Sequence, residues 1–134
     1  MESFLEAAAH EARQLVSIVD DDESVRESLP DLLRVFGFAA EAFSSADAFL
    51  ASGVVGATKC LILDVAMPGM SGPDLQTELQ RRRLPIPIVF ITAQGDETLR
   101  QRLLAAGAVE CMFKPFSETA LLDALNAALH TQDP

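Results

Sequence analysis

The chain has 134 residues, 49% of them hydrophobic and 6% aromatic, enough for one domain with an aliphatic core. Its formal net charge of −10 excludes non-specific nucleic-acid binding, which needs a basic face. No window approaches the roughly 18 uninterrupted apolar residues of a membrane span, the first residues lack the basic stretch of a secretory signal, and Cys60 and Cys111 are isolated in apolar runs, so two inert thiols in a reduced cytoplasm are expected.

Residues 2–13 read as a short Ala/Glu-rich helical extension, which sets the expected boundaries: an extension over 1–13, the domain over 14–130 and a tail or linker start over 131–134. Apolar runs then alternate with amphipathic stretches, the pattern of βαβ units. Strands are expected near 15–20, 39–43, 59–63, 87–91 and 109–113, and helices near 23–36, 46–52, 72–82, 96–106 and 117–129. In the first helix Val25, Leu29, Leu32, Leu33 and Phe36 recur at helical spacing, and Gly37 supplies the stop. Pro30 breaks a local rule there, since a proline inside a helix costs ~3 kcal/mol unless the helix kinks. Pro73 suits a first helical turn, and Asp22, Asp96 and Ser117 suit N-caps. Right-handed crossovers confine these units to an α/β fold, a doubly wound five-stranded parallel sheet with helices on both faces.

Four of the runs end on polar residues. The first meets Asp20-Asp21-Asp22, the third Asp64, the fourth Thr92 and the fifth Lys114. Parallel sheets place their sites beyond the carboxyl ends of their strands, so one crevice should gather carboxylates, a hydroxyl and an ammonium. Two carboxylates 4 Å apart repel by about 4 kcal/mol at an effective dielectric near 20, which a cation relieves. The ligands are hard oxygens without His or Cys, and an EF-hand begun at Asp20 would need Gly where Val25 stands, so Mg²⁺ is the expected ion. An Asp flanked by Mg²⁺ and Lys114 is a competent nucleophile toward phosphorus. No nucleotide-binding motif is present, so the phosphoryl donor must come from outside.

The stretches Ile18-Val19-Asp20-Asp21-Asp22, Leu63-Asp64-Val65-Ala66-Met67-Pro68-Gly69-Met70-Ser71-Gly72, Ile91-Thr92-Ala93 and Phe113-Lys114-Pro115-Phe116 together resemble the receiver domain of two-component response regulators. The resemblance implies a flavodoxin-like sheet of order 2-1-3-4-5. It implies Asp64 as phosphoacceptor, with Asp21, Asp64 and the backbone carbonyl of Ala66 as direct ligands of Mg²⁺ and Asp20 acting through water. Thr92 and Lys114 would bind phosphoryl oxygens, and Lys114-Pro115 would be a cis peptide. The implied partners are a sensor histidine kinase and an output domain, the branch joined to helix-turn-helix DNA-binding outputs being most similar. Leu99, Leu103, Leu121, Leu122, Leu125 and Leu129, mostly core at helical spacing, also suggest a homodimer face on the fourth helix, fifth strand and fifth helix, and the charge and hydropathy lead one to expect no direct nucleic-acid contact and no membrane.

Two departures stand out. Cys111 occupies the position where the family often carries an aromatic switch residue, and Ala66 has no polar group to orient a hydrolytic water, which favours a long-lived phosphoryl-Asp64 unless Gln94, two beyond Thr92, takes that part. The expected function is a phosphorylation-activated switch rather than a turnover enzyme. The competing class, a Mg²⁺-dependent aspartyl-phosphate phosphohydrolase, needs Asp-x-Asp-x-Thr after the first strand and a cap. Ser24 stands where that Thr would be, and no cap-sized insertion exists. A flavin module is disfavoured by the lack of a Ser/Thr-rich loop after the first strand, and a phosphorylated His10 by the shortness of its segment.

Overall fold

In the computed structural model, which describes residues 13–130, the three central strands are short apolar runs buried on both faces, and the two outer ones, with Glu41 and Glu110, are only partly covered. The strands are β1 Leu15–Val19, β2 Ala39–Phe43, β3 Thr58–Asp64, β4 Ile88–Thr92 and β5 Glu110–Phe113. Between them lie α1 Glu23–Val35, α2 Ala46–Ala51, α3 Gly72–Arg81 and α4 Glu97–Ala105, and α5 Glu118–His130 follows β5. A 3₁₀ turn, Val55–Ala57, leads into β3. The sheet is parallel throughout, in the order β2-β1-β3-β4-β5, as the sequence pattern and the resemblance led one to expect. The expected extension over 1–13 and tail over 131–134 fall outside the described residues, apart from Arg13.

Alternation along the strands divides the apolar side chains between the two faces. Val16, Ile18, Ile62 and Ile91 pack with Leu29 and Leu33 of α1 and with Leu121 and Leu125 of α5. Val19, Leu61, Leu63 and Phe90 pack on the opposite face with Phe49 of α2, Leu75 and Leu79 of α3, and Leu103 of α4. Cys60 and Cys111 are both buried and free, and burial pushes the Cys60 thiol up to about 12.

Local chemistry sets the helix ends. Asp22 caps α1, its carboxylate accepting from the Ser24 N–H at 2.9 Å. Asp96 caps α4, and the Ser117 hydroxyl accepts from the Ala120 N–H at 3.0 Å. Gly37, at φ 97°, ends α1 with the Phe38 N–H on the Leu33 carbonyl. The turn after α3 repeats this geometry with Arg83 at φ 59°, a conformation that costs a non-glycine residue about 1 kcal/mol. Helix α1 runs through Pro30, which is buried.

Candidate functional site

Parallel topology and in-step register bring the four polar strand ends to one edge. Val19 pairs with Leu63, Asp64 with Ile91 and Thr92 with Phe113, so Asp20, Asp64, Thr92 and Lys114 all lie at the carboxyl edge.

Asp20 is fully buried and each of its polar atoms has a partner. Its N–H donates to the Phe43 carbonyl at 3.1 Å, and its carbonyl accepts from Arg26 Nη1 at 3.0 Å. Oδ1 accepts from the Asp22 N–H at 2.9 Å, and Oδ2 accepts from Lys114 Nζ at 3.0 Å. Lys114 Nζ is 4.0 Å from Asp64 Oδ1. The Lys114–Pro115 peptide is cis, as the resemblance implied.

Carboxylate oxygens of Asp20, Asp21 and Asp64 lie within 4.8 Å of one another. Asp64 is 6% exposed while Asp21 is exposed, so the cluster opens to solvent on one side. Burial, reinforced by the neighbouring Asp20 charge and only partly opposed by Lys114, pushes the Asp64 carboxyl up to about 7. Burial alone would lower the Lys114 pKa, but its hydrogen bond and attraction to Asp20 outweigh that and raise it. Three carboxylates facing one ammonium leave an unmet need for positive charge. Their oxygens are hard donors, so the cluster could bind a metal ion, and its chemistry fits a hard divalent one.

Thr92 is 2% exposed, and its hydroxyl accepts from the Gln94 N–H at 3.1 Å. Its carbonyl accepts from the Lys114 N–H at 2.8 Å, tying the ends of β4 and β5 together. Ala66 lies exposed in the loop after β3. That loop is held to β4 by the Val65 N–H on the Ile91 carbonyl, and to α3 by the Gly72 N–H on the Val65 carbonyl, both at 3.0 Å. A Cβ on Gly72 would sit 2.3 Å from the Asp64 carbonyl oxygen, so only glycine allows this approach. The Ser71/Asp74 capping box fixes the same end of α3.

Asp20, Asp21, Asp64 and Lys114 therefore converge as the sequence led one to expect, with Thr92 on the adjoining strand. Two contributors had no role assigned to them from the sequence. Arg26 looks like an ordinary helix-surface cation, and only its spacing of six residues from Asp20 hints at a return contact. Gly72 sits in Ser71-Gly72-Pro73, which reads as a helix start rather than as a packing requirement.

Residues 16–126 match the family model of the response regulator receiver domain. The chain is 47% identical over 116 residues to Nodulation protein W of Bradyrhizobium diazoefficiens, an alignment covering 87% of this chain and 51% of that one. It is 40% identical over 114 residues to the transcriptional regulatory protein FixJ of Azorhizobium caulinodans, covering 85% and 54%. It thus spans about half the length of the curated relatives it matches. Among solved structures, the response regulator StyR superposes with a TM-score of 0.82 at 49% identity, covering 90% of this chain and 61% of that one.

Proposed function

The chain belongs to the response regulator receiver domain family, and on that premise we propose that it is a phosphorylation-activated switch with Asp64 as the phosphoacceptor. The observation that carries this reading is the meeting of Asp20, Asp21, Asp64 and Lys114 at one sheet edge. In the proposed step an Asp64 carboxylate oxygen bonds to phosphorus while the bond from phosphorus to the phosphohistidine nitrogen of a sensor kinase breaks. The imidazole keeps the electron pair and the aspartate becomes an acyl phosphate.

Asp21, Asp64 and the backbone carbonyl of Ala66 would hold Mg²⁺ directly and Asp20 through water, and the ion when bound supplies neutralisation of the transferring group's charge. Lys114 holds one phosphoryl oxygen as a point charge, and the Thr92 hydroxyl turns from Gln94 to donate to another. Moving a two-state equilibrium from 1:99 to 99:1 takes about 5.5 kcal/mol, a scale that charge-assisted hydrogen bonds reach in a partly desolvated site. Movement of Thr92 would pass to α4, β5 and α5, which are the proposed homodimer face. Leu99, Leu122 and Leu129 of that region already pack on the two cores, so polar groups such as the Arg100–Glu110 pair at 2.7 Å, which links α4 to β5, would form much of it.

The reading further assigns a sensor histidine kinase as partner, an output domain of helix-turn-helix type beyond this chain, and a cytoplasmic setting. The relative FixJ is named a transcriptional regulatory protein, which supports the output assignment. Among the described residues no helix is long and apolar enough to cross a membrane. The test is transfer from a phosphorylated sensor-kinase domain. One phosphoryl group per chain, retained through isolation, supports a switch, whereas sustained turnover of phosphomonoesters supports the phosphohydrolase.

A further inference from the structure

The carbonyl that Arg26 holds belongs to the peptide unit joining Asp20 to Asp21. Arg26 is half-buried one turn into α1, and its Nη1 donates to that oxygen at 3.0 Å. Here the chain has left the sheet, so no neighbouring strand supplies the donor. Asp20 is already fixed through its N–H by Phe43 and through its carboxylate by Asp22 and Lys114. Asp21 differs: it is exposed, and its carboxylate lies beside those of Asp20 and Asp64 rather than against a donor that would fix it. Where its carboxylate begins is set by the peptides on either side: the following one is held by the Asp22 N–H on Asp20 Oδ1, and the preceding one by Arg26 on the Asp20 carbonyl.

We propose that Arg26 is a positioning residue for the divalent cation: by clamping the Asp20–Asp21 peptide it keeps the Asp21 carboxylate facing Asp20 and Asp64. This rests on the reading of the acidic cluster as a cation site. Two effects of Arg26 on a bound cation have opposite signs. As a neighbouring positive charge it opposes the cation, and as a clamp it pre-forms the ligand set. Removing Arg26 therefore shows by the sign of the change which effect dominates.

The experiment measures Mg²⁺ affinity of the whole chain by calorimetry, for the native protein and for Arg26→Met, Arg26→Gln and Arg26→Lys. Amide hydrogen exchange at Asp21 and Asp22 is followed in parallel in chelator. A clamp weakens affinity by about tenfold in Arg26→Met, the low end of what lost outer-shell partners cost a metal site. Arg26→Lys, which keeps reach and one donor, recovers most of that loss, and exchange quickens in the Met variant even without metal. Affinity that is unchanged or tighter in Arg26→Met overturns the proposal, as does a Lys variant no better than Met. If Arg26→Met fails to fold, Arg26→Gln replaces it under the same criteria. A native chain that binds no Mg²⁺ refutes the site reading, while the metal-free exchange still decides whether the clamp exists.

Discussion

Lys114 Nζ stands 3.0 Å from Asp20 Oδ2 but 4.0 Å from Asp64 Oδ1, so its charge is committed first to the fully buried carboxylate beside the candidate acceptor. Replacing Lys114 by Met strands that carboxylate. Removing one partner of a buried pair costs more than the pair itself contributes, and about 3 kcal/mol of stability should be lost. Asp20→Asn in the same chain should return most of it. Urea unfolding in chelator checks this, and costs that simply add would contradict the pairing.

Asp64 sets a pH dependence whose sign follows from burial. Its folded pKa, about 7, lies above the ordinary aspartate value of 3.8. The folded state therefore binds the proton more tightly than the unfolded state, and the resulting stabilisation is complete below pH 3.8 and lost as pH rises through about 7. Without metal, Asp64→Asn should raise the melting temperature relative to the native chain at pH 8, and the gain should shrink toward pH 4. Mg²⁺ should narrow the difference at pH 8 by offsetting the same repulsion. A gain that does not change with pH would contradict the burial argument.

Gly72→Ala tests the packing behind the acceptor. The added Cβ would lie 2.3 Å from the Asp64 carbonyl oxygen, a backbone atom with little room to yield. A loss of about 3 kcal/mol is expected, at the upper end for overpacking. Phosphodonor labelling at saturating Mg²⁺ should fall with it, because the displaced atom belongs to the acceptor residue. Labelling unchanged at a temperature where the variant is folded would separate Gly72 from the site.

The hydrophobic runs and their polar endings made the sheet and its edge readable because a buried parallel strand tolerates few other patterns. Boundaries shifted by a residue where hydrogen bonding, not hydrophobicity, decides them: Asp64 and Thr92 are the last strand residues rather than the first loop residues. Asp20, Asp21, Asp64 and Lys114 were legible since charge at a strand's end is unusual. Arg26 and Gly72 were not, because each acts through a main-chain oxygen, and backbone partners leave no mark in composition or periodicity. The end of α3 was expected at 82 and lies at Arg81, although Arg83 rather than a glycine holds the left-handed turn that follows it.

Ala66, exposed two residues beyond Asp64, offers no group to orient a water. A phosphoryl-Asp64 lasting minutes or longer is expected from its side-chain chemistry. Ala66→Asn should shorten that lifetime by about tenfold, less than a well-placed general base or acid contributes. Phosphate release followed after removal of donor checks both values, and loss within seconds in the native chain would contradict them.

The most direct measurement is labelling of the chain by a small phosphodonor with and without Mg²⁺, with the modified residue located by mass spectrometry. One acid-stable, base-labile phosphoryl group on Asp64, formed only with Mg²⁺ and absent from Asp64→Asn, is the expected result. Labelling that persists in Asp64→Asn, or that proceeds equally well in chelator, would contradict a metal-assisted aspartyl acceptor at this sheet edge.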